Sequence, residues 1–339
     1  ITEEEQRLLG AWSAEVGKNF LPIHHLCEVM LQLELVLVRA RYGRWINGLP
    51  PILHEDGKES FLIKDFRHPL LVWQERNDRS RQVVPISFEV PSTLKVLAIT
   101  GPNTGGKTVA LKSFGLALLM ARAGMLIPCS SQPSLPWCHQ ILADIGDEQS
   151  LQQNLSTFSG HICRISRILG AIEKSSGTSV VLLDEIGAGT DPTEGTALAI
   201  ALLRTMANMA RLTIATTHFG ELKALKYTDA RFENASVAFD SKTITPTYDL
   251  QWGIPGRSNA LEISRRLGLK DEVIDIAQDL ILPKGVEDVN NVIRGLEEQR
   301  KRQQSAAEDA AALLARTELL HEELLMRWQE QRKKSIQFN

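Results

Sequence analysis

The residues of this 339-residue chain that could do chemistry gather in short clusters, the first being Gly101-Pro102-Asn103-Thr104-Gly105-Gly106-Lys107-Thr108. It fits G-x-x-x-x-G-K-[ST] at every required position. Glycines so placed let successive backbone N–H groups turn inward around phosphate oxygens, and a helix starting there adds the positive end of its dipole. Lys107 then reaches the β- and γ-phosphates, and the Thr108 hydroxyl sits on Mg²⁺. A second cluster, Asp184-Glu185, closes the apolar run Ser179-Val180-Val181-Leu182-Leu183. Asp184 suits a Mg²⁺ ligand, and Glu185 a general base that polarises the attacking water. His218 ends a further apolar run, Leu212-Thr213-Ile214-Ala215-Thr216-Thr217, where it suits a γ-phosphate sensor. These types and spacings point to binding and hydrolysis of a nucleoside triphosphate.

The elements that must position these groups are legible around them. Residues 95–100 read as an apolar strand and 109–121 as an apolar helix, the context a phosphate loop requires. The runs before Asp184 and His218 suit strands buried on both faces of a parallel sheet, whose ends are where α/β folds place ligands. Residues 140–145 form another expected strand, and 194–209 a helix behind the flexible Gly187-Ala188-Gly189-Thr190-Asp191-Pro192. Leu155-Ser156-Thr157-Phe158-Ser159-Gly160-His161 precedes an expected helix over 162–173. Small hydroxyl residues and glycine ahead of a helix serve as an N-cap, and the residues alone leave that reading open beside a functional one.

The remaining chain carries less chemistry. Residues 1–44 read as helices, with Leu8, Leu9, Trp12 and Val16 in register, Pro22 as an interruption, and a second stripe through Leu26, Val29, Met30, Leu33 and Leu37. Such stripes are read as packed helix faces. Residues 60–66, 70–74 and 83–90 read as strands of a small, largely antiparallel sheet, with turns at Glu55-Asp56-Gly57-Lys58 and Asn77-Asp78. Residues 235–240 and 244–252 suggest a hairpin around Ser241-Lys242, and 258–282 two short helices broken near Gly268. Residues 289–334 are highly charged and read as a coiled coil or an exposed linker helix.

Bulk properties bound the answer. The length suits about two domains, and 43% hydrophobic with 23% charged residues is ordinary for a globular chain. A net charge of -3 gives no bulk argument for nucleic acid. Cys27, Cys129, Cys138 and Cys163 show no metal-ligand spacing and suit a reducing cytosol, so a cytoplasmic protein is expected. The sequence shows no apolar segment of membrane-span length to the eye and no signal peptide. It starts at Ile1 rather than Met, and a longer parent chain is expected.

The order of motifs resembles the ABC-type ATPases: phosphate loop, serine-rich signature, Asp-Glu strand, Gly-rich loop, strand-end His. Within them, Thr100-Gly101-Pro102-Asn103-Thr104-Gly105-Gly106-Lys107-Thr108, Ser156-Thr157-Phe158, Asp184-Glu185-Ile186-Gly187-Ala188-Gly189-Thr190 and Arg67-His68-Pro69-Leu70 resemble the MutS branch. Thr104, Thr108 and Gly189-Thr190-Asp191-Pro192-Thr193-Glu194-Gly195 bring it closer to the MutS-two subgroup. The resemblance covers about residues 45–282. It implies an α/β fold of the ABC-type P-loop NTPase kind, with a mainly parallel central sheet, a small antiparallel β subdomain and long flanking helices. It divides the chain into lever-like helices (1–44), an ATPase domain (45–257), a helical dimerisation element (258–282) and a charged helical extension (283–339).

The same resemblance implies ATP and Mg²⁺ as cofactors and a homodimer that shares nucleotides across its interface. Ser156, Thr157, Ser159 and Gly160 would then act in trans on the partner's γ-phosphate. Val83, Val84 and Tyr248 match positions near the adenine, and Asn103 one near the γ-phosphate and its water. The only Phe-x-Glu string, Phe219-Gly220-Glu221, follows His218 and cannot serve as the mismatch reader of mismatch-repair MutS. The nucleic-acid clamp and the Smr nuclease domain of MutS-two proteins lie outside this chain. An ATP-driven motor engaging branched DNA, in recombination suppression, or collided ribosomes is the implied function. The alternatives are the nucleotide subunit of an ABC transporter, against which Ser156-Thr157-Phe158 stands, and a dimerisation module with little turnover.

Overall fold

The structure is a computed structural model that describes residues 2–55, 59–78, 82–101, 106–146, 157–175, 177–240, 245–253 and 260–281, with residues 313, 316, 317 and 321. For residues 157, 238–240, 245–249, 260, 262 and 281 it describes the backbone alone. In chain order the elements begin with α1 (Thr2–Lys18), α2 (Phe20–Ile46), β1 (Ile52–His54), β2 (Phe61–Phe66), α3 (Pro69–Asn77) and β3 (Ile86–Val90). Next come β4 (Val96–Thr100), α4 (Lys107–Arg122), β5 (Ser134–Pro136), β6 (Gln140–Asp144), α5 (Thr157–Glu173), β7 (Ser179–Leu183), α6 (Pro192–Met209) and β8 (Leu212–Thr216). A 3₁₀ turn (Glu221–Ala224) and α7 (Leu225–Thr228) lead to β9 (Phe232–Asp240), β10 (Thr245–Trp252), α8 (Ala260–Arg266) and α9 (Asp271–Ile281). By internal contacts the chain divides into residues 1–263 and 264–339.

The first unit is a mixed α/β body with two sheets. The larger sheet has the order β10-β9-β4-β8-β7-β6. Its pairs β9/β4, β4/β8, β8/β7 and β7/β6 are parallel, and only β10 runs against its neighbour. Every residue of β4, β7 and β8 is buried, because alternate side chains enter cores on opposite faces. Leu97, Ile99, Val180 and Leu182 join one core with Leu111, Phe114 and Leu118 of α4. Val96, Val181 and Leu183 join the other with Leu203 and Met206 of α6 and Ile168 of α5. The register sets Leu183 beside Ala215 and Ile99 beside Thr216, so β7, β8 and β4 end at a common edge.

The smaller sheet, ordered β1-β5-β2-β3, covers the outer side of α4. Phe114 of α4 packs against Phe61 of β2 and Phe88 of β3, with ring centroids 5.5 and 5.1 Å apart. Burying a side chain of this size contributes about 1.5–3 kcal/mol. On its other side α4 rests directly on β7. A Cβ at Gly115 would lie 2.4 Å from the Leu182 Cδ1 atom, so the leucine methyl fills the room a side chain would need.

Several local expectations are corrected. Residues 70–74 are helical, within α3, because Pro69 occupies its first turn with φ already suited to a helix. The small sheet is largely antiparallel as expected, with β2 antiparallel to β3 and β5, and the unforeseen β5 adds one parallel pairing with β1. The break near the N-terminus falls at Asn19, not Pro22, which lies in the first turn of α2 where no N–H partner is lost. The apolar stripes of α1 and α2 are not packed faces: no residue of α1 is buried, and only Gly43 and Ile46 of α2 are. Contrary to the expectation from the sequence, α2 is long and apolar enough to cross a membrane, with mean hydropathy 1.4. α5 starts at Thr157, so Phe158 to His161 are helical and do not precede the helix.

The hairpin β9/β10 is present, with its turn outside the described residues. In the second unit Gly268, at φ 93°, follows α8. Arg265 pairs with Asp271 at 3.0 Å and Asp275 at 3.2 Å. The expected charged helix lies outside the described residues except at 313, 316, 317 and 321, which are helical.

Candidate nucleotide site at the ends of the central strands

The common edge of β4, β7 and β8 gathers most of the clusters singled out in the sequence. Gly101 follows β4 at φ 134°, and Gly106, at φ 89°, precedes Lys107 and Thr108, the first residues of α4. Pro102, Asn103, Thr104 and Gly105 lie outside the described residues. Thr108 Oγ1 donates to Asp184 Oδ1 at 3.2 Å, joining the helix start to the end of β7. Two hard oxygen donors converging here suit Mg²⁺, which is held by one or two protein oxygens plus phosphate oxygens and water. Among the described residues no cluster of His, Cys, Asp and Glu could by itself hold a metal.

Lys107 is 3% exposed, and its Nζ donates to the Gly101 carbonyl at 2.6 Å. Burial pushes its pKa down to about 8, against the opposing pull of the Glu185 and Asp184 carboxylates. Nζ also lies 3.5 Å from His218 Nδ1, while His218 Nε2 lies 3.1 Å from Glu185 Oε1. An ammonium can only donate, which assigns Nδ1 as acceptor and puts the imidazole proton on Nε2, toward Glu185. Lys107, His218 and Glu185 thus form a chain of contacts beside the Thr108–Asp184 pair.

Glu185 has φ 51°, a left-handed conformation uncommon for residues other than glycine, asparagine and aspartate. The Gly-rich loop behind it packs tightly onto α6. A Cβ at Gly187, whose φ is 82°, would stand 2.6 Å from the Gly195 carbonyl oxygen. Asp191 caps α6 through its Oδ1, which accepts from the Thr193 and Glu194 N–H groups.

The other sequence candidates are placed less uniformly. Val83 and Val84 line a cavity of about 230 Å³ with His68, Gln82, Val109 and Ser113, alongside the first turns of α4. Tyr248 lies in β10, where the backbone alone is described. Ser156 is outside the described residues, and Thr157, Ser159 and Gly160 form the first turn of α5.

Sequence reasoning overlooked an ion-pair cluster that ties α5 to the sheet. Asp144, the last residue of β6, is 2% exposed. His161 Nδ1 lies 2.7 Å from its Oδ2, and Arg164 Nε donates to its Oδ1. The Asp144 carbonyl also accepts the Asp184 N–H at 2.9 Å. A carboxylate ending an apolar strand, with His and Arg three apart on the next helix, was the available signal. Thr216 was overlooked as well: its hydroxyl donates to Asp184 Oδ1 at 2.5 Å and accepts the Glu185 N–H at 2.8 Å.

Comparison with known proteins agrees with this geometry. A family profile described as MutS domain V matches residues 97–282. Endonuclease MutS2 of Synechocystis sp. is 52% identical over 337 residues, covering 95% of this chain and 41% of that protein. Endonuclease MutS2 of Pelotomaculum thermopropionicum is 45% identical over 295 residues, 87% of this chain and 36% of its own length. The protein of that name from Halalkalibacterium halodurans is 43% identical over 297 residues. The chain therefore spans less than half the length of these relatives. It belongs to the MutS family, in the MutS2 branch, and carries that family's ATPase domain.

Proposed function

We propose that this chain binds MgATP at the edge formed by β4, β7 and β8 and hydrolyses it, as the ATPase core of a dimeric motor. The observation that carries the reading is the Thr108–Asp184 contact with Lys107, Glu185 and His218 joined beside it. Bound Mg²⁺ would supply charge neutralisation of the β- and γ-phosphates. Thr108 and Asp184 would hold it, and Lys107 would draw the γ-phosphate oxygens toward the mouth of the loop. Glu185 takes a proton from the attacking water as the new P–O bond forms and the bond to the ADP oxygen breaks. His218, donating from Nε2, keeps the Glu185 carboxylate aimed. The cavity beside Val83 and Val84 supports an adenine site there, and the family resemblance assigns Tyr248 to stacking near that adenine.

The first turn of α5, with Ser156, Thr157, Ser159 and Gly160, serves the nucleotide of a second copy. Hydrolysis in such a dimer would drive engagement of branched DNA or of collided ribosomes through regions that lie largely beyond this chain. A cytoplasmic setting fits the free thiols of Cys27, Cys129, Cys138 and Cys163. The experiment is Mg²⁺-dependent ATP turnover compared with Glu185→Gln. The variant should bind ATP and lose about 10²–10⁴-fold in single-turnover rate. Equal rates would remove Glu185 as the base, and no turnover in either would leave a binding module.

A further inference from the structure

We propose that Thr216 is a positioning residue for both carboxylates at the end of β7, holding the metal-binding aspartate and the basic glutamate in working geometry. The proposal deepens the hydrolytic reading and rests on it. Thr216 is the last residue of β8 and wholly buried. The parallel ladder between β7 and β8 ends at the pair Leu183 and Ala215. One residue further on, where the ladder stops, side-chain bonds take over. The Thr216 hydroxyl donates to Asp184 Oδ1 at 2.5 Å and accepts the Glu185 N–H at 2.8 Å, using its donor and an acceptor in one stroke.

The Thr216 carbonyl in turn accepts the Ile186 N–H at 3.1 Å. The backbone amides of Glu185 and of the residue after it therefore both end on Thr216. Glu185 is the residue held at φ 51°. A left-handed glutamate persists only where its surroundings over-determine it, and these bonds on either flank do so. That conformation turns the Glu185 side chain back toward His218, at 3.1 Å, rather than continuing the strand.

The strand supplies its own contrast. Thr213 of β8 is equally buried, yet its hydroxyl has no partner. A valine would satisfy the shape at either position; at 216 alone does the oxygen have work to do. Because Oδ1 of Asp184 takes bonds from both Thr216 and Thr108, Thr216 also fixes which carboxylate oxygen faces the helix start.

The test compares Thr216→Val, Thr216→Ser and Thr213→Val in the full chain, by steady-state ATPase, Mg²⁺ titration of turnover and of fluorescent ATP-analogue binding, and thermal unfolding. Thr216→Val should lower kcat about ten- to a hundredfold, the worth of a lost bond to a charged group. It should raise the half-saturating Mg²⁺ concentration while leaving the KM for ATP nearly unchanged. Thr216→Ser should restore both, and Thr213→Val should match the unsubstituted chain. Should Thr216→Val fail to fold, Thr216→Cys replaces it with the same expectations. Overturning results are an unchanged kcat and Mg²⁺ profile in Thr216→Val, or equal impairment of the Val and Ser variants in proportion to lost folded protein. If the unsubstituted chain turns over no ATP, the hydrolytic reading falls, and the Mg²⁺ dependence of analogue binding still decides the role of Thr216.

Discussion

Replacing both His161 and Arg164 by alanine is predicted to destabilise the chain more than replacing Asp144 by asparagine, although the second change strikes the shared partner. With both partners gone, a carboxyl group 2% exposed stays behind at the end of β6. Breaking a buried ion pair from one side costs about 3–5 kcal/mol. The Arg164 side chain is 38% exposed and partly screened, which lowers the expectation to about 2–4 kcal/mol. Asp144→Asn removes the charge with the acceptors and keeps the shape. It weakens two charge-assisted bonds at a cost of about 1–2 kcal/mol. The assay is thermal unfolding followed by two probes, with about 2–4 °C expected per kcal/mol for a unit of this size. Adding Asp144→Asn to the double alanine variant should recover stability, because it removes the stranded charge. A double variant milder than Asp144→Asn, or a triple variant with no recovery, refutes the argument that this pair offsets the burial of Asp144.

Two further outcomes test the site. Lys107→Ala should abolish tight binding of a fluorescent ATP analogue, since it removes the cation that the phosphate loop supplies; unchanged affinity would refute the assignment of the loop. Ser159→Arg should bind ATP yet fail to hydrolyse it as a homodimer, and mixing it with Lys107→Ala chains should restore part of the activity if the composite sites fire independently. A simple cap role predicts instead about 1 kcal/mol of lost stability with normal turnover per folded dimer.

What was legible in the sequence followed from residues that act through local rules. The phosphate-loop helix, the buried runs before Asp184 and His218, and the hairpin strands each carry a period or a motif that needs no distant partner. Residues 70–74 misled because Leu70, Leu71 and Val72 are as apolar as a short strand, while the deciding Pro69 was read only as part of a motif. β5 escaped notice because a strand of three residues flanked by Pro133 and ending in Pro136 has no periodicity of its own. Asp144, His161, Arg164 and Thr216 depend on contacts across 17 to 32 residues, which spacing along the chain does not display. The exposed surface of α2 was missed for a different reason. Its apolar residues occupy the whole circumference, so selecting a stripe through some of them implied a face that the helix does not have.

The seat of Gly115 on Leu182 reaches further than packing. Thr108 lies about two turns back on the same side of α4, and Asp184 lies two places on from Leu182, on the same side of the chain. The spacing of the hydrophobic contact and the 3.2 Å between the Thr108 and Asp184 oxygens are therefore one dimension measured at two points. The interior acts as a gauge block for the chemistry. Bulk added at 115 is expected to arrive at the Thr108–Asp184 contact as a displacement, though both residues there were untouched. Positions 115 and 182 are then expected to change as a pair, large for small.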